Sequence, residues 1–176
     1  MCDAHSTESY HFDAKIMIVD DDVMFATILR HMLIEYSDQY FAESAIEGLK
    51  LARRIIPDII LLDYDLPDAS GVDLCAMLKS DPKLSDIPVI FITSHRGVAV
   101  LAATFRAGGA DFVTKPVDLD DLETTIRKTL ADIAKTRELE RLRAAAEGRD
   151  VAGRSPNEAR QKRTRVYALH LGPSDF

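Results

Sequence analysis

The sequence is poor in cysteine and has no long apolar run. Two cysteines, Cys2 and Cys75, are too few for a disulfide framework, which is typical of a reducing compartment. No apolar run approaches the ~18 residues of a membrane-spanning helix, and residues 1–15 contain no apolar stretch of the signal-peptide type. We therefore expect a cytoplasmic protein that does not contact a membrane.

Basic residues are scarce in the first 134 positions. That part holds 12 Lys and Arg against 23 Asp and Glu, a balance of −11 that repels nucleic acid. Residues 135–165 reverse the balance with 10 against 5, but a short basic run is typical of a solvated helix or a tail. We do not expect a nucleic-acid partner.

Apolar clusters alternate with helical segments over the same 134 residues. Continuous apolar runs are typical of strands that are covered on both faces, and their alternation with helices predicts a doubly wound α/β domain with a parallel sheet. The predicted strands are 15–19, a weaker one around 39–42, 59–62, 87–92 and 111–114. The second predicted helix is expected to turn Ile46, Leu49 and Ile56 inward.

The last predicted helix continues beyond this domain. Its apolar positions run to Ile133 and resume at Leu139 and Leu142, and no Pro or Gly interrupts before Gly148. A helix over residues 118–147 would measure ~45 Å, a length that suggests a coiled coil or a connector. A solvated overhang and a dimerising stalk both remain open.

These patterns divide the chain into four parts. We predict a disordered tail over 1–13, the α/β domain over 14–134, a helical extension over 135–148, and a linker or tail over 149–176 with no recognisable output domain. Residues 150–157 weakly resemble the opening of a diguanylate cyclase domain. Because the Gly-Gly-Asp/Glu-Glu-Phe motif is missing and the remaining length is too short, we expect no cyclase activity.

Polar side chains follow the predicted strands. Asp20, Asp21 and Asp22 follow the first, Asp63 and Asp65 the third, Thr93 and Ser94 the fourth, and Lys115 the fifth. In doubly wound sheets, ligands bind outside the carboxyl ends of the strands. We therefore expect carboxylates, a hydroxyl and an ammonium in one cleft, with Asp22 capping the first helix.

Clustered carboxylates call for a cation. Two unit charges ~4 Å apart repel by ~4 kcal/mol at an effective dielectric constant near 20. Ligands that are all oxygen, without His or Cys, favour Mg²⁺. A metal beside a carboxylate, a hydroxyl and a lysine is what phosphoryl transfer to that carboxylate requires.

Four sequence strings closely resemble the response-regulator receiver family of two-component signalling. They are IMIVDDD (16–22), IILLDYDLPDASG (59–71), VIFITS (89–94) and GADFVTKP (109–116), and the resemblance covers about residues 14–134. It implies a flavodoxin-like sheet of five parallel strands in the order 2-1-3-4-5. It also implies a phosphorelay component whose chemistry is limited to its own phosphorylation and dephosphorylation.

Carried over position by position, the resemblance assigns the metal and phosphoryl sites. Asp20 and Asp21 resemble the acidic pair that holds Mg²⁺, together with Asp63 and the backbone carbonyl of Asp65. Asp63 resembles the phosphoacceptor. Thr93 and Lys115 resemble the residues that bind the phosphoryl group.

The resemblance also implies a switch and its timing. Thr93 and Phe112 match the switch pair, although Phe112 lacks the hydroxyl of the commoner Tyr. Asp65 and His95 occupy positions that tune phosphoryl lifetime in the family. The implied partners are a histidine kinase or a histidine phosphotransfer protein, a downstream protein, and a second copy of the chain through the C-terminal helix.

One motif in the sequence is also compatible with an enzyme. The Asp63-Tyr64-Asp65 string is an Asp-x-Asp after an apolar strand, as in the nucleophile motif of haloacid-dehalogenase-type phosphohydrolases. That motif usually continues to Thr or Val, whereas Leu66 and Pro67 follow here. The acidic pair also lies upstream of the nucleophile rather than downstream, so we favour the receiver.

Overall fold

The computed structural model describes residues 12–34 and 36–146, which form five strands and five helices in alternation. The strands lie in one parallel sheet in the order β2-β1-β3-β4-β5, so the predicted fold and strand order are confirmed. The predictions for residues 1–11 and 147–176 fall outside the described residues. The elements are β1 (Phe12–Val19), α1 (Val23–Met32), β2 (Tyr36–Ala42), α2 (Ala45–Ile55), β3 (Ile59–Asp63), α3 (Gly71–Ser80), β4 (Val89–Thr93), α4 (Val98–Arg106), β5 (Asp111–Thr114) and α5 (Leu119–Ala146).

Two hydrophobic clusters cover the two faces of the sheet. Because side chains alternate along a strand, Ile59 and Leu61 of β3 pack with α1 and α5, while Ile60 and Leu62 pack with α2 and α3. All residues of β3 and β4 are buried. This double coverage explains why the central strands read as unbroken apolar runs.

The predicted inward face of α2 is partly wrong. Ile46 is 59% exposed, and the buried residues of the helix are Ala45, Gly48, Leu51 and Ala52. The helix approaches the sheet through small side chains: a Cβ on Gly48 would lie 3.2 Å from the methyl groups of Val19. Leu49 and Ile56 are half-buried against the same cluster.

Helix α5 is a single helix of 28 residues. The side chain of Asp118 caps it by accepting the amides of Asp120 and Asp121 at 2.9 and 3.2 Å. Beyond Ala134 the helix still contacts the domain through Arg137, which donates to the Asp86 carbonyl at 3.4 Å, whereas Leu139 and Leu142 are 55% and 57% exposed. Among the helices in the described part of the chain, none combines the length and apolar character needed to cross a membrane.

Candidate functional site

Three aspartates meet at the carboxyl edge of the sheet. Asp20 and Asp21 follow β1, and Asp63 ends β3. Asp20 and Asp63 are only 2% and 7% exposed, whereas Asp21 is open to solvent. One carboxylate oxygen from each lies within 4.8 Å of the others. Buried carboxylates are costly without compensating partners, so this edge requires positive charge.

Lys115 supplies part of that charge. Its Nζ atom lies 2.9 Å from Asp20 Oδ2 and 2.8 Å from Asp63 Oδ1, and 4.2 Å from the centre of the Phe25 ring. The lysine follows β5 and precedes Pro116 across a cis peptide bond. Residues 95 positions apart in sequence therefore form one charge cluster.

Burial and pairing act in opposite directions on this cluster. Burial raises the pKa of the Asp63 carboxyl, and the hydrogen bond and charge of Lys115 offset this only in part. Burial by itself would lower the pKa of Lys115, but its hydrogen bonds to Asp63 and Asp20, together with their negative charges, outweigh that effect and raise it. The lysine is therefore a stable cation, and a second cation beside Asp63 would favour the charged carboxylate.

A tight hairpin over residues 64–71 carries Asp65 next to Asp63. The amide of Gly71 donates to the Tyr64 carbonyl at 2.8 Å, and Asp65 and Ser70 form an isolated antiparallel bridge. The Asp65 amide also donates to Asp63 Oδ2 at 3.0 Å. Only glycine fits at position 71, because a Cβ there would overlap the carbonyl oxygen of Asp63.

The donor set of this edge fits a hard divalent cation. It consists of carboxylate oxygens, with the backbone of Asp65 adjacent, and within residues 12–34 and 36–146 it is the one convergent group of this kind. Mg²⁺ prefers oxygen ligands and usually takes only one or two carboxylates with waters. The chemistry of these residues is therefore compatible with the magnesium site that the sequence predicts.

Thr93 and His95 form the rim opposite the hairpin. Thr93 ends β4, is fully buried, and accepts the His95 amide on Oγ1 at 3.0 Å. The His95 ring places Nδ1 3.4 Å from Thr93 Oγ1 and 3.4 Å from Asp65 Oδ2. It also contacts the Tyr64 ring, with centroids 5.1 Å apart. Asp65 and His95, which the sequence pairs only by position, are thus direct neighbours.

Phe112 lies apart from the carboxylates. It is half-buried in β5, pairs in register with Phe91, and meets Phe105 of α4 edge-on with centroids 6.1 Å apart. The Phe112 ring therefore connects β5, the strand that directly precedes Lys115, to helix α4.

Two aromatic residues of the site escape prediction from sequence. Phe25 has the helical spacing of a core residue, but it lies under the Lys115 ammonium and lines an open groove of about 500 Å³. Tyr64 follows the strand end directly and contacts His95. The sequence indicates a site role for these two residues only weakly, because aromatic side chains at such positions usually pack in the core. The groove is lined by Phe25, Ile28, Met32, Ser94, Lys115, Pro116 and Val117.

A doubly wound parallel sheet with an aspartate cluster and a lysine at its carboxyl edge is the arrangement that the receiver resemblance implies. The profile of the response regulator receiver domain matches residues 16–127. The chain belongs to the response regulator receiver family.

Known proteins of this family resemble the chain over two thirds of its length or more. It is 36% identical to protein PilH of Pseudomonas aeruginosa over 119 residues, which is 67% of this chain and 98% of PilH. It is 29% identical over 145 residues to the DNA-binding dual master transcriptional regulator RpaA of Synechocystis, covering 81% of this chain. The chain spans only 57% of RpaA's own length.

A solved structure of this family has the same fold. The receiver domain protein (CheY-like) of Methanospirillum hungatei superposes with a TM-score of 0.66 at 26% identity, over 70% of this chain and 98% of that protein. The family profile ends at residue 127, within α5. It therefore covers the α/β domain and its strand-end residues.

Proposed function

We propose that this receiver accepts a phosphoryl group on Asp63 and uses it to switch a protein-binding surface. Mg²⁺ would be held by Asp20, Asp21, Asp63 and the backbone carbonyl of Asp65. The observation that carries the proposal is the Lys115 ammonium, which lies 2.8 Å from Oδ1 of the buried Asp63. Family membership supports a phosphoacceptor role.

The transfer would proceed by in-line attack. An oxygen of Asp63 attacks the phosphorus of a phosphohistidine on a kinase or phosphotransfer protein, the P–N bond breaks, and the imidazole leaves with its electron pair. Lys115 would pair with the oxygens of the incoming group, which share its charge. Bound Mg²⁺ would neutralise further negative charge on those oxygens.

The groove beside Lys115 is a suitable surface for the phosphodonor. It opens next to the ammonium and is lined by apolar side chains of α1, among which Ile28 is 51% exposed. A donor histidine must approach Asp63 closely for attack. We propose that the donor packs on α1 and the segment after β5.

The switch would run from Thr93 to α4. In the structure the Thr93 hydroxyl oxygen accepts the His95 amide, and the hydroxyl would move to donate its proton to a phosphoryl oxygen. Phe112 would follow and disturb its edge contact with Phe105. Phe105 is half exposed and Val98 of the same helix is 83% exposed, so the change would reach a surface that a downstream protein can read.

We propose that residues 14–134 form the signalling unit and that the extension over 135–148 serves as a stalk. Leu139 and Leu142 lie three positions apart and are both exposed, which is the spacing of an a/d pair in a coiled coil. Replacing both with Ser should convert a dimer to a monomer in sedimentation. Unchanged sedimentation of the double variant would leave the stalk a solvated overhang.

Intact-protein mass spectrometry after incubation with acetyl phosphate and Mg²⁺ tests the proposal directly. We expect one added phosphoryl group on the wild type, and none on Asp63→Asn or in excess EDTA. Wild-type protein that gains no phosphoryl group and binds no beryllofluoride would contradict it. Steady turnover of a small phosphate ester would favour a phosphohydrolase instead.

A further inference from the structure

The tip of the hairpin over residues 64–71 is bound to a helix that does not belong to the site. Asp68 lies at the tip, and its two carboxylate oxygens accept the backbone amides of Ala45 and Ile46 at 2.8 and 2.9 Å. These partners are 23 and 22 positions away in sequence, at the first turn of α2. The carboxylate thus spans two segments that the sheet order separates.

Asp68 completes the N-terminus of α2. The first amides of a helix lack partners within the helix. Here the side chain of the cap residue Ser44 accepts only the amide of Glu47, at 3.2 Å. Asp68 accepts the two amides that precede it, and its negative charge also suits the positive end of the helix dipole. These hydrogen bonds lower the pKa of Asp68, so the carboxylate is charged at neutral pH.

The start of α2 is fixed in turn to the Asp20 side of the site. The amide of Asp20 donates to the carbonyl of Ala42 at 3.1 Å, and Ala42 ends β2 just before the cap of α2. On the other side, the hairpin that ends at Asp68 carries Asp65 and follows Asp63. The contact of Asp68 therefore joins the Asp63 side of the acidic cluster to its Asp20 side through the start of α2.

We propose that Asp68 is a positioning residue that sets the separation between the two halves of the proposed metal site. One half is Asp20 and Asp21 after β1, and the other is Asp63 with the hairpin residue Asp65. Without the bond to α2, the tip of the hairpin loses its tether to the Asp20 side, and Asp65 is held only by contacts on the Asp63 side of the site. The inference rests on the proposed magnesium-assisted phosphorylation of Asp63.

Magnesium titration of Asp68 variants tests this role. Asp68→Asn and Asp68→Ala should raise the Kd for Mg²⁺, measured by calorimetry, by roughly tenfold, the lower end of the usual effect of residues that orient metal ligands. The rate of phosphorylation by acetyl phosphate should fall at low Mg²⁺ and recover at saturating Mg²⁺. Asp132→Asn on the exposed face of α5 removes the same charge and should leave both quantities unchanged.

The outcomes separate this inference from the proposed function. Wild-type protein that binds no Mg²⁺ would contradict the proposed function itself. If the wild type binds Mg²⁺ and both Asp68 variants bind it with a Kd within twofold of the wild-type value, only the role of Asp68 would be overturned. A role limited to stability would lower the melting temperature and leave the Mg²⁺ Kd unchanged. Faster hydrogen exchange at the amides of Ala45 and Ile46 in the variants would show that the tether had been removed.

Discussion

Helices α3 and α4 lie at neighbouring positions along the chain but are held very differently. Helix α3 buries Gly71, Leu74, Cys75 and Leu78. Helix α4 carries apolar residues at seven of its nine positions, yet its one buried residue is Thr104. Neither hydrophobic cluster includes an apolar side chain of α4. The more apolar helix is therefore the less buried one.

The difference separates a fixed site from a surface that can move. The hairpin before α3 is tied to its surroundings by bonds between distant residues, such as the two that Asp68 accepts. The cap residue of α4 is Gly97, which has no side chain that could accept the first amides of the helix. Segments with few buried apolar contacts open at lower free energy. We therefore expect a signal from Asp63 to change α4 before it changes α3.

The largest expected effect lies inside the fixed site. Lys115→Ala removes the cation from Asp20 and Asp63, and with it the group that would stabilise the transferring phosphoryl oxygens. We expect phosphorylation by acetyl phosphate to slow by about 100- to 1,000-fold, as for other losses of an electrostatic donor. Quenched mass spectrometry measures the rate. Lys128→Ala, an exposed lysine on α5, is the control, and an unchanged rate in Lys115→Ala would contradict the assignment.

Truncating one apolar side chain in each helix would test the comparison itself. Leu74→Ala in α3 empties a fully buried position and should lower the free energy of unfolding by about 3 kcal/mol. Val98→Ala in α4 removes a side chain that is 83% exposed and should change it by less than about 0.5 kcal/mol. Urea unfolding measures both. Equal losses would mean that α4 is covered in solution, for example by a second copy of the chain.

Replacing one glycine in each of the two regions should give a smaller difference in stability. A Cβ at position 71 would overlap the carbonyl of Asp63, whereas a Cβ at Gly97 would meet nothing within 4 Å. Gly71→Ala should therefore destabilise the fold by about 2 kcal/mol, within the range for strained or overpacked positions. Gly97→Ala should be close to neutral, because the loss of a favoured cap residue is offset by the smaller conformational entropy of the unfolded chain. Similar unfolding midpoints for the two variants would contradict the close packing of the hairpin.

The sequence predicts the parts of this molecule that topology fixes. Asp20, Asp63 and Lys115 each follow a strand, and the carboxyl ends of parallel strands must meet at one edge, so their convergence needs no knowledge of packing. Ile46 points outward because the small Gly48 lets α2 lie close to Val19. The spacing of apolar residues does not predict which face of a helix approaches the sheet in this way.

Contacts between loops are harder to predict for a similar reason. Asp68 finds its partners 22 and 23 positions away, and an exposed acidic residue after a proline is ordinarily a solvated turn residue. The ring contact of Tyr64 with His95 likewise joins the ends of two different strands. Sequence spacing places such residues near the site, but the separation between loops decides what they touch.

The smallest expected effect concerns His95, which lies where the fixed site meets the segment before α4. Its ring contacts Tyr64, Asp65 and the hydroxyl of Thr93, and we expect it to limit the access of water to Asp63. Removing it in His95→Ala should shorten the lifetime of the phosphorylated protein severalfold, because closed sites exclude water from reactive intermediates. The decay of the phosphorylated mass after removal of the donor measures this. Arg96→Ala changes an exposed neighbour and should decay like the wild type. A longer lifetime in His95→Ala would instead mean that the imidazole assists hydrolysis, and the rim would then belong to the reacting site rather than to its cover.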